Sequence, residues 1–174
     1  MLVTSLDLET SGLDPNIDRI TEIGAVLWDV EQHKPISFLS HLIKDTNALP
    51  LKPEVTELTG ITDDILNTFG IDIVVALQSI SVFLQHSTAV IVHGGLILDK
   101  LLLEREYSKY IGVIPNLPWV DTQIDFAYPK HMKMRALKYL AADHKHLLDF
   151  AHRGLFDSVA TMLIASHYDI KAAI

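Results

Sequence analysis

Ser5-Leu6-Asp7-Leu8-Glu9-Thr10-Ser11-Gly12 sets two carboxylates two residues apart inside an apolar strand and then turns. On a β-strand, residues i and i+2 project from the same face. Asp7 and Glu9 therefore point together one way, while Leu6 and Leu8 point the other way into a core. Two like charges side by side on a strand repel unless something positive sits between them. A divalent cation with oxygen ligands, Mg²⁺ or Mn²⁺, answers that need. The plain alternative is a solvent-facing strand with alternating acids.

The rest of the chain bounds what this strand belongs to. With 174 residues, 49% of them hydrophobic, it has material for one domain (1–174) with a full core. The absence of Cys excludes disulfides, zinc-thiolate sites and thiol catalysis. Met1-Leu2-Val3 opens as a strand, without a basic segment leading into an apolar run, and no apolar stretch reaches membrane-spanning length. A soluble, cytoplasmic protein is expected. The net charge of −8 argues against a broad grip on nucleic acid. That objection weakens if part of the charge is a carboxylate cluster neutralised by metal. The one basic concentration is Tyr128-Pro129-Lys130-His131-Met132-Lys133-Met134-Arg135 with Lys138. It reads as a phosphate contact or as a solvated helix face.

Patterning predicts strands over 3–9, 20–28 and 36–43, joined by connections short enough for an antiparallel meander. A short helix over 51–59 is closed by Gly60, Thr62 caps another turn, and Asp72 caps a longer helix with Ile73, Leu77, Ile80 and Leu84 at helical spacing. Ala89-Val90-Ile91-Val92-His93 is a short continuous apolar run, as in a strand buried on both faces. Further elements are a helix over 99–110, a brief strand over 119–121, and helices over 135–142 and 154–167. Strands first, then alternating helix and strand, imply an α/β fold: a mixed five-stranded sheet flanked by helices.

Three residues complete a pattern with Asp7 and Glu9. Asp99 starts a helix just after the buried fourth strand, where binding residues collect in α/β sheets. His152 and Asp157 are five apart, about 140° around a helix, so they share no face of one regular helix. The spacing works if His152 lies on the loop before the helix and Asp157 on its inward face. Singly, each has a structural explanation: Asp99 as a helix N-cap, Asp157 as a first-turn acid, His152 as one of nine histidines. Glu22 pairs with Arg19 or Lys34, or flanks the acidic site. His131, His144 and His146 have no metal-ligand spacing, and Asp121 and Asp125 read as acids flanking a helix start.

Asp7-Leu8-Glu9-Thr10, a central Asp99 and His152 five before Asp157 resemble the DEDDh (DnaQ-like) 3′→5′ exonucleases. Leu6 to Asp14, Arg19 to Val26, Leu58 to Thr62 and His152-Arg153-Gly154-Leu155-Phe156-Asp157 carry the likeness along almost the whole chain. The sister subclass would have Tyr four residues before the last Asp, where this chain has Arg153. One departure stands out. The family's middle motif runs His-Asn-Ala-x-Phe-Asp, whereas His93-Gly94-Gly95-Leu96-Ile97-Leu98-Asp99 is one residue longer and lacks both Asn and Phe.

The resemblance implies a ribonuclease-H-like fold and two divalent ions, Mg²⁺ or Mn²⁺, about 4 Å apart. It makes Asp7, Glu9 and Asp157 ligands of one ion, and Asp7 a ligand of the second with support from Asp99. His152 takes the proton of the attacking water, since imidazole titrates near neutral pH. The implied product is a nucleoside 5′-monophosphate. Thr10 is implied to meet the terminal nucleotide; Leu13 either wedges against its base or is an ordinary apolar turn residue. The implied partner is a single-stranded 3′ end, DNA favoured over RNA because Thr10 stands where oligoribonucleases carry Met. A polymerase or a second copy of the chain has no specific signature. Two other readings remain: a non-catalytic accessory module that keeps the fold, and an exoribonuclease that trims RNA.

Overall fold

The computed structural model describes residues 1–174. Strands β1 (Leu2–Thr10), β2 (Ile20–Asp29) and β3 (Lys34–Leu42) form an antiparallel meander. Strands β4 (Val90–Val92) and β5 (Trp119–Asp121) extend it in parallel, giving the order β3-β2-β1-β4-β5. Seven helices accompany the sheet: α1 (Pro53–Thr59), α2 (Asp63–Phe69), α3 (Ile73–Gln85), α4 (Asp99–Tyr110), α5 (Leu137–Asp143), α6 (Gly154–Ala165) and α7 (Ile170–Ala173). No helix is long and apolar enough to cross a membrane.

Burial follows the strand order. Central β1 and β2 are buried on both faces, whereas edge strand β3 is largely exposed and tolerates Pro35. Leu6 and Leu8 pack with Leu77, Ile80 and Leu84 of α3 and with Leu102, Leu103 and Tyr107 of α4. Val3, Val26, Trp28 and Ile91 pack on the opposite face with Leu140 of α5, Met162 and Ile164 of α6 and Ile170 of α7. Strand alternation therefore turns Asp7 and Glu9 toward the face that α6 covers.

The helix boundaries come from local chemistry. Pro53 opens α1, and Gly60 closes it with φ of 71°, a left-handed conformation that glycine adopts without strain. Thr62 caps α2 through the Ile65 N–H, and Asp72 caps α3 through the Val74 N–H. Two expectations are corrected here. The helix expected from residue 135 begins at Leu137, because Arg135 donates to the Gln123 and Phe126 carbonyls from outside it. The expected helix start at Asp121 and Asp125 is a turn: Asp121 Oδ1 accepts the Gly94 and Gln123 N–H groups, and Asp125 Oδ2 accepts the Asp121 N–H.

One contact sets the position of α6. Gly24 lies opposite Asp7 in the β1–β2 register. A Cβ on Gly24 would stand 1.9 Å from the Gly154 carbonyl carbon and 2.0 Å from the Leu155 nitrogen. A Cβ on Gly154 would stand 2.8 Å from the Asp7 carbonyl oxygen. The two glycines let the first turn of α6 sit directly on the strand that carries Asp7. Gly24→Ala must push backbone away from backbone, and we expect it to destabilise the fold by about 3 kcal/mol or more. Urea unfolding checks this; a loss below about 1 kcal/mol would show that α6 can shift freely.

Candidate active site

Because α6 rests on β1, Asp157 in its first turn comes down beside Asp7 and Glu9. One carboxylate oxygen from each of the three lies within 4.8 Å of the others. Glu9 and Asp157 are buried and Asp7 is half-buried. At Glu9 the β1–β2 register shifts, so the strand ends in an irregularity at the site. Asp157 Oδ2 accepts the His152 N–H at 2.9 Å, while Oδ1 is buried without a hydrogen-bond partner.

This crowding shows in the acidities. Burial, then the charges of Asp99, Glu9, Asp157 and Glu22, holds the Asp7 carboxyl well above the usual carboxylate range. Burial and the neighbouring Asp157, Glu22 and Asp99 push Glu9 up to about 8, against a smaller opposing pull from Arg153. Burial also raises Asp157, opposed by the His152 N–H. Three acids that resist ionisation, with one buried oxygen unpartnered, are a donor set matched to a hard divalent cation.

Asp99 stands beside this trio and not within it. It is the first residue of α4, buried, and the strongest charged influence on Asp7. Burial raises its own carboxyl to about 7, while the Leu8 N–H pulls the other way. The extra residue of the His93–Asp99 segment is absorbed in a turn over 96–98, after Gly94 at φ of 72°. Gly95 leaves room for the carboxylate, since a Cβ there would meet Asp99 Oδ2 at 2.6 Å. His93 is a strand-end residue held by Thr122 Oγ1 at 2.8 Å.

His152 lies on the loop before α6, exposed, with φ of 63°. The next residue turns inward. Arg153 donates from Nε to Glu22 Oε2 at 2.9 Å and from Nη2 to Glu22 Oε1 at 3.1 Å. Glu22 is fully buried and also accepts from Ser40 Oγ and the Gly154 N–H. Of the alternatives for Glu22, the pairing with Arg19 or Lys34 is thus corrected, since its partner is Arg153, 131 residues away, while Glu22 does flank the acidic trio. Arg19 instead reaches Asp63 and the Leu49 carbonyl. The Glu22–Arg153 pair pins the root of the loop while leaving the imidazole of His152 outside.

Residues 4–165 match the RNase_T family, described as Exonuclease. The chain belongs to this family of DnaQ-like 3′→5′ exonucleases. Among similar proteins, a PolC-type DNA polymerase III of Thermotoga petrophila is 34% identical over 118 residues, covering 67% of this chain and 8% of that protein. The DNA polymerase III subunit epsilon of Treponema pallidum is 44% identical over 63 residues, covering 36% of this chain and 27% of that one. Exonuclease I of E. coli in complex with a dT13 oligonucleotide shares the fold, with a TM-score of 0.82 at 16% identity. That match covers 95% of this chain and 40% of exonuclease I. The chain therefore spans only a minor part of the length of each of these proteins.

The remaining candidate residues sort clearly. Thr10 Oγ1 donates to the Gly12 carbonyl at 2.6 Å, shaping the turn after the acids. Leu13 is 85% exposed. The basic run is divided: Tyr128 is buried, Arg135 is spent on internal carbonyls with its guanidinium over the Tyr128 ring, and Lys130 and Lys133 remain exposed. It is no helix face over 128–134. Sequence reasoning missed an exposed aromatic pair: the Phe150 and Phe156 rings lie 5.0 Å apart, next to His152 and Asp157 in sequence. Phe150, two residues before the family's third motif, and Phe156 within it were the available signal.

Proposed function

We propose that residues 1–174 act as one exonuclease unit that removes nucleoside 5′-monophosphates from single-stranded 3′ ends, DNA in preference to RNA. The observation that carries this reading is the meeting of Asp7, Glu9 and Asp157, three acids with raised pKa values and one unpartnered buried oxygen. Asp7, Glu9 and Asp157 would hold one divalent ion and Asp7 with Asp99 a second, Mg²⁺ or Mn²⁺. Such ions supply Lewis-acid activation of water and stabilise the departing 3′ oxygen. His152, held by its backbone N–H to Asp157 but with a free exposed ring, accepts the water's proton at an imidazole nitrogen. The Glu22–Arg153 pair keeps that loop within reach. Thr10 and Leu13 border the terminal nucleotide, and Phe150 with Phe156 offers aromatic surface on which unpaired bases stack.

The oligonucleotide bound by exonuclease I supports a single-stranded DNA substrate. The DNA polymerase III relatives support a polymerase as protein partner. The test is digestion of 5′-labelled single-stranded DNA and RNA of one sequence with Mg²⁺ or Mn²⁺. The expected result is a ladder shortening from the 3′ end, faster on DNA, and abolished by EDTA and by Glu9→Gln. Cleavage of neither strand in either metal would overturn the proposal in favour of the accessory module, and faster cleavage of RNA would make the chain an exoribonuclease.

A further inference from the structure

Folding assembles a second group of ring nitrogens at the far end of α6. His144 and His146 follow α5, and His167 follows α6. His146 Nε2 and His167 Nε2 stand 3.1 Å apart. The His167 ring also packs 4.9 Å from that of His144. His144 has no free nitrogen: Nδ1 is hydrogen-bonded to the Leu140 carbonyl at 2.7 Å and Nε2 to the Tyr168 hydroxyl at 2.8 Å. His144 thereby walls the pair, and the two Nε2 atoms of His146 and His167 are left facing one another.

We propose that His146 and His167 form a binding site for a borderline transition-metal ion of the Zn²⁺, Ni²⁺ or Cu²⁺ class, separate from the carboxylate centre. Two imidazole nitrogens each about 2.0–2.1 Å from one ion are about 2.9–3.4 Å apart over coordination angles from square to tetrahedral. The observed spacing falls in that range before any ion arrives. Ligation needs neutral rings, and burial together with the neighbouring His144 and His146 holds His167 below its ordinary pKa. In the absence of an ion one Nε2–H donates a hydrogen bond to the other Nε2. On binding, the donor ring shifts to its Nδ1–H tautomer, so that both neutral rings present an Nε2 lone pair and water fills the remaining positions. Nitrogen ligands select a different class of metal from the oxygen donors of Asp7, Glu9 and Asp157.

The location gives the site a consequence. The 12 residues of α6 span about 18 Å, which separates His167 from the catalytic end of the helix. An ion held by His146 and His167 cross-links the two ends of a segment that contains His152 and Asp157. It closes that loop around the proton acceptor without touching it.

The test is titration of the full chain with Cu²⁺, read by the nitrogen hyperfine structure of its electron paramagnetic resonance spectrum. The expected result is one equivalent of nitrogen-ligated copper in the wild type and in His152→Ala. In His146→Ala and in His167→Ala that binding weakens at least tenfold. His167 is exposed and His146 half-buried, and melting curves without metal confirm that the variants fold. With the carboxylate centre disabled by Glu9→Gln, Zn²⁺ should still raise the melting temperature, and it should no longer do so once His146→Ala or His167→Ala is added to Glu9→Gln. A nitrogen signal that survives both substitutions, or that disappears with His152→Ala, would overturn the site.

Discussion

Asp7→Asn is expected to abolish hydrolysis, by about 10³-fold or more, and yet to raise the melting temperature of the metal-free protein. The two effects share one cause. Asp7 is crowded by Asp99, Glu9, Asp157 and Glu22, so its charge is needed for a cation and unfavourable without one. Removing the charge relieves that repulsion, and each kcal/mol released moves the melting temperature of a chain this size by about 2–4 °C.

The pH dependence carries the same signature. Glu9 is raised from 4.5 to about 8 and Asp99 from 3.8 to about 7. Between about pH 4 and pH 8 the folded chain holds protons that the unfolded chain has released. Unfolding then releases protons, and stability falls as pH rises through this window, the reverse of a salt-bridged carboxylate. Below about pH 4 both states are protonated and the penalty is absent. The gain from Asp7→Asn should therefore grow between about pH 5 and pH 8 in EDTA and shrink or reverse when Mg²⁺ is added. Thermal melts of wild type and variant at both pH values, with and without Mg²⁺, decide it. The account is refuted if Asp7→Asn leaves the chain less stable than wild type at about pH 8 without metal.

Arg153→Ala is expected to cost about 3–5 kcal/mol, because it strands the fully buried Glu22 carboxylate with only Ser40 Oγ and the Gly154 N–H. The melting temperature should fall by about 6–20 °C. Activity at a temperature where the variant stays folded should fall as well, in kcat more than in KM, since the loop carrying His152 loses its anchor. Arg153→Lys keeps the charge but not the two-pronged bond and should recover only part of either. Adding Glu22→Gln to Arg153→Ala removes the stranded charge, and the double variant should regain most of the stability but not the activity. A loss below about 1 kcal/mol for Arg153→Ala would mean that water, admitted at the one-third-exposed guanidinium, satisfies Glu22 unaided.

The local elements were legible because their signals are short-range. Alternation in Leu6-Asp7-Leu8-Glu9, the Val90–Val92 run, Gly60, Thr62 and Asp72 each act within a few residues. The four-residue α7 is too short to show a periodicity, although Asp169 caps it through the Ala172 N–H. The partner of Glu22 lay beyond sequence reasoning for a different reason. Nearby Arg19 and Lys34 look sufficient, but charge pairing in a buried site follows the packing of α6 on β2, and Gly24 and Gly154 set that packing. The histidines after α5 likewise lack ligand spacing, because His167 comes from beyond another helix.

By itself the sequence determined that Asp7 and Glu9 share a face of an apolar strand and that His152 precedes a helix bearing Asp157. Those follow from backbone periodicity, which is a local property. Folding alone brought Asp157 within 4.8 Å of the other two acids, left Asp99 beside them, chose Arg153 for Glu22 and faced His146 toward His167. These depend on how closely two backbones approach, and that distance is set by side chains far apart in the chain.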